Sequence, residues 1–493
     1  VENQIVSKPT ELVSSEPDTS QLSAVTQNST PSISSKQLWN PHPYQERAIR
    51  LMLSQSAVGL FLDPGLGKSS VVLASLKLLL AKGLVHRALI VAPLRVMMKT
   101  WPDEISKWED FQHLTWTILH GGKKSLAVQE KVDIHLINPE GIEWLSKSGH
   151  MDQYDVLVID ESSKFKDGQT KRFKSLKPWI PQFKRRWILT GTPVPNGLMD
   201  LFGQIYILDL GRALGRFITH YRRNYFIQSG FGGYTWSPQP NAFQRITEQI
   251  APLVLQLSSA DYLEMPELIN TNVIVDLPPT ALKIYKDVEN EFISELEDGP
   301  IVAANAAVAG VKCRQIANGA VYDEFGNWKD IHFAKLEALD DLLEELGGAP
   351  TIILYEFDHD KTRIKSFLKR DAIPVLGSGL GEKRLSDVID RFNAGDTPIL
   401  LGHPASMGHG LNLQGACHHI IWFGIPWNLE HYVQAIARVY RQGQKSDRVF
   451  VYHIVAKGTL DEHVLMTLQK KDHTQNSLLQ ALASYRREHL ERA

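Results

Sequence analysis

The sequence predicts an α/β protein of two parallel-sheet lobes in tandem, with helical insertions and a disordered N-terminal tail. Three observations predict it. Short apolar, β-rich runs alternate with helix-prone stretches from Leu38 to about residue 260. The same rhythm returns at Thr351, after a mostly helical stretch from roughly Pro279 to Leu346. The runs are apolar throughout rather than alternating, which suits strands covered on both faces by helices.

The elements follow in order. Residues 1–36 are rich in Ser, Thr, Gln and Pro without hydrophobic period, and read as a disordered tail. Residues 37–260 form the first lobe, with strands expected at Val58–Leu62, Ala88–Ala92, Ile134–Ile137, Val156–Ile159 and Trp187–Leu189. A helical insertion is expected near 203–255, and the stretch holding Gly230, Gly232, Gly233, Pro238 and Pro240 reads as a loop. Residues 261–348 read as a linker with a helical insertion. The second lobe, 349–465, has strands expected at Ile352–Phe357, Pro374–Leu376, Ile399–Leu401, Ile420–Phe423 and Val449–Val455. Residues 466–493 are polar, basic and helix-prone.

Composition narrows the function classes. The 493 residues carry a formal net charge of −2, so no global basic field draws in nucleic acid and any such surface is a local patch. The two cysteines, Cys313 and Cys417, match no zinc spacing and fit a reduced setting. No apolar run is long enough for a bilayer, and no export signal is visible, so no membrane partner is expected.

Chemistry concentrates at strand ends. DPGLGKSS, Asp63 to Ser70, lies between a strand and a helix, as a phosphate-binding loop does. Gly65 and Gly67 let backbone N–H groups face an anion, Lys68 would reach the β- and γ-phosphates, and Ser69 would ligate Mg2+. A glycine-rich helix cap with a surface lysine is the plainer alternative. DVLVIDESS ends a buried strand in Asp160, suited to hold Mg2+, and Glu161, suited to polarise water. A strand followed by a helix-capping acid is the alternative there.

Four further segments carry weight only in company. Gln45 precedes the loop and suits an adenine edge. Arg95 follows a strand end and suits a backbone phosphate. Thr190 and Thr192 suit sensing of Glu161. Gly410 and Asn412 lie in the Gly-rich SMGHGLNLQGA. Each is also explicable as an ordinary surface or turn residue. IPWNLEHYVQAIARVYRQGQ places Gln434, Arg438 and Arg441 at i, i+4, i+7, on one helical face. Arginine's fixed charge and planar fork fit a transferring phosphoryl group.

Together PYQ, DPGLGKS, IVAPLRVMMKTWPDEISKW, VLVIDESSKFKDGQTKR, ILTGTPVPN, KCRQIANG, SMGHGLNL and PWNLEHYVQAIARVYRQGQ resemble, in order and wording, the Swi/Snf-type ATPases of helicase superfamily two. The likeness runs from about Leu38 to Gln469. It implies two RecA-like lobes and an ATP-driven translocase on double-stranded DNA. Lys68 and Ser69 would then serve phosphate and Mg2+, Asp160 and Glu161 metal and water, and Gln45 and Gln434 the nucleotide. Arg438 and Arg441 would reach the γ-phosphate from the second lobe. Arg95, Thr190, Thr192, Gly410 and Asn412 would couple ATP to DNA.

The sequence departs from the family pattern at Ser163, where a histidine is usual, and at Ala437, Tyr440 and Gln442. With no reader domain, it resembles a compact bacterial or phage member. That implies a cytoplasmic monomer acting on DNA and DNA-bound proteins. A strand-separating helicase and a DNA-binding scaffold with weak ATPase activity are the alternatives.

Overall fold

The computed structural model describes residues 37–229, 235–297, 303–370, 372–377, 382–407 and 411–489; the expected tail, 1–36, lies outside them. The first lobe contains β1 (Ala57–Leu62), β2 (Ala88–Val91), β3 (Trp116–Ile118), β4 (Ile134–Ile137), β5 (Val156–Asp160), β6 (Arg185–Thr190), β7 (Phe226–Ser229), β8 (Thr235–Pro238) and β9 (Val254–Leu257). Seven of these make an all-parallel sheet in the order β3-β4-β2-β5-β6-β1-β9. Side chains alternate between two cores. Val58, Leu60 and Leu62 face one helix layer, while Ala57 and Phe61 face the other. Gly59 has no room for a side chain, since a Cβ there would lie 2.9 Å from Val254 Cγ1.

The second lobe contains β10 (Glu267–Val275), β11 (Ala320–Tyr322), β12 (Trp328–Asp330), β13 (Thr351–Leu354), β14 (Val375–Leu376), β15 (Ile399–Gly402), β16 (His419–Trp422) and β17 (Arg448–Ala456). Six form a second parallel sheet, β10-β17-β16-β13-β15-β14. It too is sandwiched between two cores.

Four expectations need correction. The Gly/Pro-rich stretch after Tyr225 is not simply a loop, because Phe226–Ser229 and Thr235–Pro238 pair as an antiparallel hairpin. The insertion near 203–255 is accordingly not all helix, and its end, Val254, already belongs to β9 beside β1. Glu267–Val275, expected within the linker, pairs along its whole length with β17. Its largely exposed pattern, with Asn270, Thr271 and Asn272 in mid-strand, marks an edge strand, which an apolar-run criterion misses. Finally, the C-terminal helix begins at Leu460 rather than 466. It packs Val464, Leu465 and Leu468 into the second lobe's core and Leu478, Leu479 and Leu482 into the first lobe's. Arg486 near its end donates to Val254 O at 2.8 Å, so one helix braces both lobes.

Candidate nucleotide site between the lobes

In a parallel sheet all carboxyl ends share one edge, and ligands gather there. The neighbours β5, β6 and β1 therefore set three loops side by side: Asp160–Glu161, Thr190–Thr192 and the phosphate loop. The phosphate loop turns through Gly65 (φ +94°) and Gly67 (φ +73°) into the helix Lys68–Ala81. A side chain at Gly67 would crowd the Gln45 amide and displace it, and the positive φ itself favours glycine. Gly67→Ala is expected to weaken ATP binding at least tenfold, because alanine is strained at that φ and displaces the Gln45 amide from Leu66 O; isothermal titration checks this.

Asp63 fixes the start of the loop, accepting from Ser259 N at 2.9 Å and Ser259 Oγ at 3.1 Å. Gln45 fixes its middle. Its Oε1 accepts from His42 N at 2.9 Å and its Nε2 donates to Leu66 O at 3.2 Å. Lys68 Nζ donates to Leu62 O at 2.7 Å and Asp63 O at 3.3 Å. Burial holds its pKa below the usual lysine range, with Glu161 and Asp160 pulling the other way.

Asp160 closes β5, its Oδ2 accepting from Trp101 Nε1 at 3.0 Å. Glu161 follows in the left-handed region (φ +58°), a conformation costing a non-glycine residue about 1–2 kcal/mol. Strain of that kind concentrates at functional sites. Its Oε1 accepts from Thr190 Oγ1 at 3.1 Å and from Ser163 Oγ at 3.2 Å. Ser163, in place of the family's histidine, thus bonds the carboxylate directly. Thr190 Oγ1 accepts in turn from Thr192 N at 3.0 Å, linking Glu161 to the following turn. Burial raises the pKa of both acids, and with the nearby charges of Glu430 and Asp160 it pushes Glu161 up to about 7.

The second lobe completes the site. The helix Leu429–Ile436 ends before the arginines, and Arg438 and Arg441 lie in the turns after it. The expected single helical face of Gln434, Arg438 and Arg441 is therefore corrected. Turns nonetheless aim both arginines at the cleft. Arg438 is buried, and its Nε donates to Gln434 O at 3.1 Å. Burial, with Arg441 nearby, lowers its pKa to about 10, so it stays charged at neutral pH. Arg441 Nη1 donates to Asn412 Oδ1. Arg95, half-buried after β2, lies close enough for its charge to act on Arg438. Gly410 lies outside the described residues.

A cavity of about 480 Å³ joins these parts; its lining includes Gln45, Gly67, Lys68, Ser69, Asp160, Glu161, Thr192, Gln434, Arg438 and Arg441. A pair invisible in the sequence joins the two lobes, with Glu430 near enough for its charge to act on Glu161. Lys164 Nζ of the first lobe lies 3.1 Å from Glu430 Oε1 of the second, and the Glu430 side chain is almost fully buried. Sequence reading also missed Asp63 as an anchor and Trp101 as the partner of Asp160. The only local signal was the position of Trp101 in the WPDEISKW block.

Residues 44–318 match the family model of the SNF2-related domain, and residues 334–443 match that of the helicase conserved C-terminal domain. The chain belongs to the SNF2 family. It is a helicase-like hydrolase acting on ATP. Protein p41 of Acyrthosiphon pisum secondary endosymbiont phage 1 is 35% identical over 90% of this chain and 99% of its own length. An uncharacterized ATP-dependent helicase of Mycoplasma genitalium is 25% identical over 89% of this chain, which spans only 42% of that protein. Among solved structures, the SWI2/SNF2 ATPase core of Sulfolobus solfataricus in complex with dsDNA is 25% identical. The match covers 93% of this SNF2 chain and 96% of that chain, with a TM-score of 0.44. Among the described residues of this SNF2 chain, no helix is long and apolar enough to cross a membrane.

Proposed function

We propose that the protein is an ATP-dependent translocase on double-stranded DNA that remodels DNA or displaces proteins bound to it. One observation carries this reading: the nucleotide cavity is lined from both lobes, so filling and emptying it changes what holds the lobes together. A two-lobed device that alternately tightens and loosens is suited to stepping along a polymer.

The residues fit ATP and Mg2+. Lys68, half-buried and donating to the carbonyl oxygens of Leu62 and Asp63, and the open N-terminus of its helix suit the β- and γ-phosphates. Two half-buried acids side by side, both with raised pKa, suit a cation, and Asp160 and Ser69 would hold Mg2+. Bound there, Mg2+ supplies charge neutralisation for the phosphates. Glu161 orients and polarises the attacking water, and Arg438 and Arg441 stabilise negative charge developing on the transferring phosphoryl group. Gln45 and Gln434 position the nucleotide. Thr190 and Thr192 pass changes at Glu161 to the turn beyond β6, with Arg95 and Asn412 beside the second-lobe arginines.

Glu161 must be deprotonated to act. With its free-enzyme pKa at about 7, kcat/KM for Mg-ATP is expected to fall tenfold per pH unit below that value and to level off above it. Glu430→Gln removes a neighbouring negative charge, so the acid limb should move to lower pH. A pH–rate series on both proteins checks this. The function itself is tested by measuring ATP turnover with no nucleic acid, single-stranded DNA, duplex DNA and RNA, beside triplex displacement and forked-duplex unwinding. Stimulation by duplex with triplex displacement supports translocation. Equal rates in all four conditions contradict it, and efficient fork unwinding makes the protein a strand-separating helicase instead.

A further inference from the structure

From Leu210 to Thr247 the chain has no Asp or Glu but five arginines, although acids outnumber Lys plus Arg overall, 55 to 53. None of the five lines the nucleotide cavity. This stretch folds against the first lobe as the helix Ile218–Tyr225, the β7–β8 hairpin and the helix Ala242–Ile250. Tyr221 anchors it. The ring is buried 5.9 Å from Phe202 and 5.1 Å from Phe226, and its hydroxyl donates to Leu198 O at 2.7 Å. Leu198 lies just past the Thr190–Asn196 turn, so the module is rigidly joined to the segment that touches Glu161.

Four of its arginines, Arg212, Arg216, Arg223 and Arg245, are exposed, and two of the five, Arg222 and Arg245, lie against aromatic rings. Arg245 is exposed, lies 4.7 Å from the Tyr225 ring and donates to Asn224 O at 3.1 Å. Arg223 beside it is also exposed. Arg222 lies 5.4 Å from the Trp236 ring, and its buried Nε has no hydrogen-bond partner. At the other end of the helix, exposed Arg216 acts on the Tyr206 hydroxyl, and Lys177 Nζ lies 4.7 Å over the same ring. The two Arg-rich ends are one helix length apart, roughly 12 Å.

Stacking fixes the plane of a guanidinium and leaves its edge free for an oxyanion. Asp209 offsets Arg212 at one end and Glu248 follows Arg245 by one helical turn at the other, yet the five arginines still outnumber these two flanking acids, an excess of positive charge that a polyanion would meet. The spacing favours a ligand with repeated phosphates over a single small anion, since a duplex presents one charge per roughly 1.7 Å of axis. We infer that this arginine–aromatic module is a second contact for the phosphate backbone of duplex DNA, outside the nucleotide cleft. The inference rests on the duplex-DNA reading above.

The test uses the full chain and the triple variant Arg216→Gln, Arg223→Gln, Arg245→Gln, all at exposed positions. Binding of a labelled duplex is measured by fluorescence anisotropy across a potassium chloride series, alongside DNA-stimulated ATP turnover. The variant should bind at least about tenfold more weakly at 0.1 M salt, and the slope of log Kd against log salt should fall by about 2–3, near 0.9 per lost contact. Its kcat at saturating duplex and its DNA-free turnover should stay within about twofold of wild type, while the Arg→Lys triple variant keeps most of the slope. If wild type responds to duplex but the Gln variant has the same affinity and slope, the inference is overturned and an acidic protein becomes the candidate for this face. If wild type neither binds duplex nor is stimulated by it, the proposed function fails, and this inference with it.

Discussion

Lys68→Ala is expected to lower ATP turnover roughly 10³-fold, about 4 kcal/mol of transition-state stabilisation, while the circular dichroism spectrum stays that of the folded protein. Lys68 is the first-lobe cation at the phosphate loop, and its ammonium now rests on the carbonyls of Leu62 and Asp63. An alanine cannot replace that charge, and the loop N–H groups alone provide only dipoles. The fold should survive because the helix Lys68–Ala81 is held by Val71, Val72, Leu73, Leu76 and Leu79, all buried in one core. A steady-state ATPase assay settles it. Turnover within tenfold of wild type would mean that phosphate is held elsewhere.

The second large effect comes from the opposite lobe. Arg438→Ala and Arg441→Ala are each expected to reduce kcat by about 10³-fold or more, the scale on which an arginine acts at a transferring phosphoryl group. Arg438 is the deeper of the two, and its charge acts on Lys68 across the cleft. Arg441 is held by Asn412, so its engagement with phosphate requires exchange of that partner. ATP binding should change less than turnover for either variant, because the γ-phosphate charge they meet grows as the bond to it breaks. Lysine at position 438 should rescue poorly, lacking the planar fork. If KM rises while kcat is untouched, the arginines bind ATP but do not assist the chemistry.

Much of the fold was legible because the central strands are short unbroken apolar runs. Ile134–Ile137 and Ile399–Leu401 were found within a residue of their ends. The strands that escaped lack that signature. β3 is three half-buried residues, and β10 is a largely exposed edge strand with polar residues in its middle. The β7–β8 hairpin carries the Gly and Pro that usually mark loops. The helix Leu429–Ile436 stops short of the arginines although the periodicity runs on, because periodicity reports a face and not a terminus.

The candidate site divides the same way. Lys68, Asp160, Glu161 and Arg438 were readable because each sits in a local block beside a strand or helix end. Their supports were not. Lys164 meets Glu430, and Asp63 meets Ser259, across long sequence separations that no local pattern encodes. The buried ion pair of Lys335 and Asp461, 2.5 Å apart within the second lobe, is of the same kind. Its lysine is also bonded to Asn318 Oδ1 at 2.8 Å, tying the KCRQIANG block to the start of the C-terminal helix.

The central claim is that one triphosphate is gripped from two lobes at once. The most direct measurement is a structure of the protein with Mg2+, a non-hydrolysable ATP analogue and duplex DNA. The expected result has Lys68 Nζ and the Arg438 guanidinium both within hydrogen-bonding distance of the γ-phosphate, from opposite sides. A closed complex with Arg438 and Arg441 both directed away from that phosphate would contradict the account.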